Sequence, residues 1–205
     1  PILLGQKDEI EARVKELGAD ITGAEIIDPA DSPKRKEYID ALFAMRQRKG
    51  VTLAEADRLI KKNRNYFGAM MVEKGDADTL LSGISHHYPE TIRPALEIIG
   101  KQDNLSKVHG LYMMVTKKEA VFFADTTVTI EPTAEELAET AILTAEKAKY
   151  FEVEPKVAML SFSNFGSAIH PLTSKVAKAT KLVKAQAPDL VVEGEIQANV
   201  ALDPE

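Results

Sequence analysis

In the stretch VAMLSFSNFGSAIHP, residues 157 to 171, the side chains that could do chemistry are Ser161, Ser163, Asn164 and Ser167, gathered around Gly166. An apolar run leads into them. Hydrogen-bond donors at the carboxyl end of a strand in an open sheet are the usual place for a ligand. A loop so rich in hydroxyls suits a phosphate or an acyl group. It is neither of two familiar phosphate loops, since no glycine-lysine-serine follows and the glycine spacing of a dinucleotide fingerprint is absent. Phe165 stands where a phosphate-handling loop would carry a lysine. The pattern alone leaves open whether the loop turns a ligand over or only holds one.

Two arginines occupy awkward positions. In KRKEYIDALFAMRQRKG, Tyr38, Leu42 and Arg46 stand four apart, with Ile39 and Phe43 on the same stripe. Arg46 thus continues the face of a helix that should meet the core. A buried guanidinium without an anion costs several kcal/mol, so either an anion meets Arg46 or its side chain reaches past the packed region to solvent. In ETIRPALEII, Thr91 is a good N-cap and Pro94 is tolerated where first-turn amides need no partner. That places Arg93 in a first turn, where the helix dipole disfavours a cation unless an anion docks with it. The alternative is a surface arginine paired with Glu90 or Glu97. One phosphate-rich ligand would account for both arginines.

Other candidates are weaker. His86 and His87 in SGISHHYPE are adjacent and therefore diverge, and nothing nearby has metal-ligand spacing. His86 is read either as a cleft-lining hydrogen-bond donor or as a capping histidine. Asp125 closes VFFAD and either faces a cleft or caps the following turn. Glu195 follows Gly194, where the backbone is free to approach a neighbour closely, and neither carboxylate has an evident acid–base partner. Met70 and Met71 read as core.

The elements that must position these residues alternate short apolar runs with amphipathic stretches, which gives an α/β class. Strands are expected at Ile2–Leu4, Glu25–Ile27, Thr79–Ser82, Val108–Val115, Ala120–Ala124, Lys156–Ser161 and Leu190–Val192. Helices are expected near Gln6–Leu17, Lys34–Gln47, Leu53–Lys61, Tyr66–Lys74, Ile92–Ile99, Ala134–Tyr150 and Thr173–Gln186. Thr52 with Glu55, and Thr133 with Glu136, form capping signals in which the hydroxyl meets the third residue's amide. The pair around Lys117–Lys118–Glu119 reads as a hairpin at the edge of a mostly parallel mixed sheet. The polar stretch GKQDNLSK, residues 100 to 107, places a boundary between a first lobe, 1–104, and a second, 105–205.

Composition bounds the function. The chain has 205 residues, 44% of them hydrophobic and 28% charged, an ordinary globular balance. Its net charge of −6 argues against nucleic acid as a partner. No apolar run approaches the roughly 18 residues needed to span a membrane. The absence of cysteine excludes disulfides and thiolate metal sites and fits a reducing compartment. PILLG reads as a strand entered midway and ALDPE stops without a closing element, so a piece of something longer is expected.

Taken in order along the chain, NYFGAMMVEKGDADTLLSG, TIRPALEIIG, FFADTTV, PTAEELAE, PKVAMLSFSNFGS and APDLVVEGEIQANVAL resemble the phosphate acetyltransferase family. SNFGS and HYPETIRPAL are more similar to the degenerate copy of that fold at the carboxyl end of bacterial NADP-dependent malic enzymes. The resemblance implies a two-lobed, three-layer α/β/α sandwich with a cleft between lobes, lacking its first strand and its late segment. It implies a homo-dimer through the second lobe and a cytoplasmic location. In the family, the arginines matching Arg46 and Arg93 contribute to coenzyme A binding. The ligand expected here is therefore acetyl-CoA, held by Arg46, Arg93, His86, Ser161, Ser163, Asn164, Gly166 and Ser167, with no catalytic residue and no metal.

The departures from the family also carry weight. Its usual serine-threonine-lysine-glycine-serine becomes Ser163–Asn164–Phe165–Gly166–Ser167, which removes an ammonium able to stabilise charge during acyl transfer. Its small hydroxyl residues become His87, Tyr88 and Pro89, and its serine-arginine pair and catalytic aspartate would lie beyond Glu205. The expectation is a regulatory and dimerisation domain that senses acetyl-CoA. Its partner would be the malic enzyme catalytic domain of the same polypeptide, where NADP and a divalent metal would bind and malate would become pyruvate. The alternatives are a portion of a true phosphate acetyltransferase, or a purely structural oligomerisation domain.

Overall fold

The computed structural model describes residues 1–103, 105–117 and 119–203. Its contacts divide the chain into two units, Pro1–Gln102 and Asp103–Glu205. The boundary expected after residue 104 falls on a position outside the described residues, as do Lys118 of the expected hairpin turn and the last two residues of ALDPE.

Unit 1 contains β1 (Ile2–Leu4), α1 (Lys7–Leu17), β2 (Glu25–Ile27), α2 (Arg35–Arg46), α3 (Leu53–Lys62), α4 (Arg64–Lys74) and α5 (Tyr88–Ile98). β1 and β2 pair in parallel, Ile2 opposite Glu25 through Leu4 opposite Ile27. The centre of the unit is α4, buried without a break from Asn65 to Met71, as expected of a helix apolar on nearly every side. Met70 and Met71 are core, as their surroundings in sequence suggested. Gly68 lets this helix lie close to its neighbours: a Cβ there would stand 2.7 Å from Leu80 Cδ1 and 3.2 Å from Leu4 Cδ1. Thr52 caps α3 by accepting from the Glu55 amide at 3.2 Å, while the Glu55 carboxylate turns to Arg58.

Two expectations fail in this unit. Thr79–Ser82 forms no strand. Of its four residues only Leu80 packs against the core, and Leu81 points to solvent, so an apolar run long enough for a strand serves as a single plug. The second failure is the start of α5. The helix begins at Tyr88 with His87 at its N-cap and Pro89 in its first turn, not at Thr91. Arg93 therefore lies in the second turn, away from the free amides, and the dipole argument for an anion there lapses. Pro94 sits inside the helix, where it leaves the Glu90 carbonyl without its i+4 amide. The Asn65 side chain donates to that carbonyl at 3.4 Å, which is how the interior proline is accommodated.

Unit 2 contains β3 (Leu111–Val115), β4 (Ala120–Ala124), α6 (Ala134–Tyr150), β5 (Lys156–Leu160), α7 (Pro171–Gln186), β6 (Val191–Ile196) and the short α8 (Ala198–Ala201). The expected hairpin is present, with Leu111 opposite Ala124 and Val115 opposite Ala120. Among the described residues it pairs with no other strand, so it is a separate two-stranded sheet and not the edge of the β5–β6 sheet. β3 begins three residues later than expected because Gly110 is drawn aside to donate its amide to Asp125. α6 carries a complete capping box between Thr133 and Glu136. Along it Ala134, Ala138, Ala141, Ala145 and Ala148 form a buried stripe of small side chains, and this face meets Ala179 and Val183 of α7 with Met159 and Val192 of the sheet. Among the described residues two of the three strand pairings are parallel, the α/β class with mostly parallel sheets that the alternating pattern implied.

A loop seated on a buried carboxylate and a paired arginine cluster

β5 and β6 run parallel with a register shift: Met159 lies opposite Gly194, but Leu160 lies opposite Ile196. Glu195 is the extra residue. A bulge re-aims side chains, and here it turns both Glu195 and Ile196 inward where alternation would have sent Glu195 out. The close approach suggested by Gly194 is real: its φ is +144° and a Cβ would stand 2.5 Å from the Met159 carbonyl oxygen.

The inward Glu195 carboxylate is the seat of the SNFGS loop. Its Oε1 accepts from the Gly166 amide at 2.6 Å and from the Ser163 hydroxyl at 3.3 Å, and its carbonyl accepts from the Phe165 amide at 2.9 Å. Its own amide and that of Gly166, opposed by burial and aided by Ser163, hold the carboxyl below the ordinary glutamate range. Ser163 is fully buried, and its oxygen also accepts from the Ala168 amide at 3.0 Å. Ser167 Oγ accepts from the Asn164 amide at 3.0 Å, and the Ser167 amide donates to the Asn164 carbonyl at 3.0 Å. Asn164 and Gln197 exchange two further hydrogen bonds, at 3.2 and 2.8 Å.

Every backbone amide from residue 164 to 168 is thus committed inside the protein. The loop is not a nest of free donors, and a carboxylate lies beneath it. The large side chains it turns outward are mostly apolar: Phe165 at φ +47°, with Phe162, Ile169 and Leu172 also exposed. Ser161 is half-buried, with its amide on the Ile196 carbonyl at 2.9 Å. Glu195 was noted in the sequence only as a carboxylate without an evident partner, and its role in seating the loop, with that of Gln197, was not foreseen.

In unit 1, Arg46 ends α2 half-buried rather than extended to solvent. Its Nη2 stands 3.4 Å from Glu97 Oε1, and its Nε is buried without a hydrogen-bond partner. The Tyr66 hydroxyl donates to the other Glu97 oxygen at 2.6 Å. Burial first, then Glu97, push the Tyr66 phenol well above its ordinary range, while the positive charges of Arg93 and Arg46 both oppose that rise. Glu97 lies on α5 one turn beyond Arg93, so its ion pair ties Arg46 of α2 to the helix that carries Arg93. Arg93 is exposed, and among the described residues it forms no ion pair, with Glu90 or with Glu97.

His86 is exposed. It lines a cavity of about 530 Å³ beyond the carboxyl ends of β1 and β2, together with Gly5, Asp28, Lys62, Arg64 and Asn65. Neither arginine lines this cavity. Asp125 is a cap: it accepts from the amides of Gly110, Thr127, Val128 and Thr129 at 2.8 to 3.1 Å. Burial would raise its pKa, but those four amides outweigh burial and keep it low. Among the described residues no three histidine, aspartate or glutamate side chains converge as a metal site, and no helix is long and apolar enough to cross a membrane.

Comparison with known proteins places this architecture. Residues 1–205 match the family model for phosphate acetyl/butaryl transferase. The chain is 42% identical over 204 residues to the phosphate acetyltransferase of Bacillus subtilis, covering 100% of this chain and 62% of that protein. It is 37% identical over 205 residues to the NADP-dependent malic enzyme of Escherichia coli, covering 98% of this chain and 27% of that one. A phosphotransacetylase crystal structure from Streptococcus pyogenes superposes with a TM-score of 0.86 at 39% identity, across 100% of this chain and 62% of that one. The chain therefore spans under two thirds of the length of these relatives, and it belongs to the phosphate acetyl/butaryl transferase family.

Proposed function

We propose that the protein to which this chain contributes moves an acyl group of the acetyl class between coenzyme A and phosphate, and that unit 1 holds the phosphates of coenzyme A through Arg46 and Arg93. The observation that carries this reading is that Arg46 ends α2 half-buried with its Nε unpartnered, while Arg93, one turn before the Glu97 that pairs with Arg46, has no ion pair among the described residues. Glu97 answers the charge of Arg46 only in part, since its Nε stays unpartnered, Arg93 has no internal anion among the described residues, and an oligophosphate would supply both. The similarity to phosphate acetyltransferases along the whole chain supports the choice of coenzyme A. The apolar outer face of the Phe165 loop suits an uncharged arm or acyl chain better than a phosphate, because the loop's amides and its underlying carboxylate offer an anion nothing.

A second reading is favoured by that loop. With Phe165 in place of lysine and its amides turned inward, it stabilises developing negative charge poorly. An acyl-CoA-binding regulatory region attached to a malate-oxidising enzyme, whose NADP and divalent metal lie outside this chain, fits such a loop and the 37% identity to a malic enzyme. One experiment separates the two. Purified protein is supplied with acetyl-CoA and inorganic phosphate, and acetyl phosphate is measured alongside acetyl-CoA binding. Acetyl phosphate at rates above a heat-treated control is the expected result. Binding without acetyl phosphate overturns the transfer reading in favour of the regulatory one.

A further inference from the structure

Arg46 already has an anion. Glu97 lies on α5 one turn beyond Arg93, and its carboxylate is shared between Arg46 Nη2 at 3.4 Å and the Tyr66 hydroxyl at 2.6 Å. The two side chains of the ion pair are 22% and 23% exposed, so solvent screens them only in part. The guanidinium is incompletely satisfied even so, because its Nε is buried and unpartnered. A half-buried cation left without a counter-charge is strongly destabilising, and Glu97 answers that need when no ligand is present. The same carboxylate then opposes any incoming phosphate, being a like charge at the cation the phosphate must reach.

We propose that Glu97 is an internal counter-ion that competes with the anionic ligand for Arg46, so that it sets how tightly and how selectively the arginine cluster takes a polyanion. This rests on the reading that Arg46 and Arg93 hold ligand phosphates. Tyr66 is the latch: its hydroxyl keeps the carboxylate at Arg46 and must lose that bond, or carry it along, when Glu97 gives way. Arg93 remains open throughout, so the ligand can dock on Arg93 first and displace Glu97 from Arg46 second. The exchange favours ligands with several phosphates over a single inorganic phosphate, which would gain one cation while forcing out one anion.

The test is titration calorimetry of the whole 205-residue chain with acetyl-CoA, using wild type, Glu97→Gln, Tyr66→Phe and Arg46→Ala. Glutamine keeps the size of the side chain and an oxygen for the Tyr66 hydroxyl but removes the charge. It is expected to tighten binding about three- to tenfold at low salt, with the gain shrinking as ionic strength rises. Tyr66→Phe, which frees the carboxylate without removing it, is expected to tighten binding by a smaller factor. Arg46→Ala is expected to weaken binding and to abolish the effect of Glu97→Gln in the double variant. Unchanged or weaker binding by both Glu97→Gln and Tyr66→Phe, while Arg46→Ala still weakens it, overturns the counter-ion role alone. Binding insensitive to Arg46→Ala, or absent from every variant, overturns the reading beneath it as well.

Discussion

At the scale of single residues, the two carboxylates that matter were the hardest to interpret. Glu97 appeared in the sequence only as one of two partners offered to Arg93, and it pairs with Arg46 instead. Glu195 appeared without a partner, and it holds the SNFGS loop. Its effect on stability has a definite sign. The folded-state pKa lies below the ordinary value of 4.5, so the stabilisation is fully present above that pH and is lost as pH falls through the lowered folded value. Glu195→Gln removes this linkage. Thermal unfolding of wild type is therefore expected to lose more stability than Glu195→Gln between neutral pH and about pH 3.5, and parallel profiles would show that the carboxylate is not what seats the loop.

At the scale of elements, regular structure was legible where the chain's own periodicity decides it. β1, β2, β4 and α6 lie where the pattern puts them, because alternation, apolar stripes and the Thr133–Glu136 box are local signals. The pattern failed where a distant neighbour decides. Pro94 looked like a first-turn proline because the Asn65 amide that relieves the Glu90 carbonyl lies 25 positions earlier. Thr79–Ser82 looked like a strand because nothing local says that no partner strand adjoins it. The late end of β6 and the inward turn of Glu195 depend on a bulge that two-residue alternation cannot express, and Gly194 was its one visible trace. That glycine supports a prediction. Gly194→Ala would place a methyl group against the Met159 carbonyl in a backbone conformation unfavourable to any side chain. It should destabilise the chain by about 2 kcal/mol or more, measured by denaturant unfolding. A cost within about 0.5 kcal/mol would mean that the strands are not in this contact.

At the scale of the whole molecule, family membership was legible in the order of its motifs, but the division of labour was not. Each unit has its own core, one built around α4 and the other around the alanine stripe of α6, and each carries one chemical feature. Unit 2 offers a loop whose polar groups are spent internally, which is why a hydroxyl-rich sequence becomes an apolar surface. Unit 1 offers charge, with one arginine neutralised from within and the other open. The polar character of SNFGS and the place of Arg46 on a core-facing stripe were both evident in the sequence, but which of them faces a ligand depended on partners about 20 to 51 positions away (Glu195, Glu97 and Tyr66). The central claim is that the arginine cluster of unit 1 grips the phosphates of coenzyme A. Acetyl-CoA affinity measured for wild type, Arg46→Ala and Arg93→Ala tests it most directly. Each substitution is expected to weaken binding by about tenfold or more, and affinity unchanged in both would contradict the account.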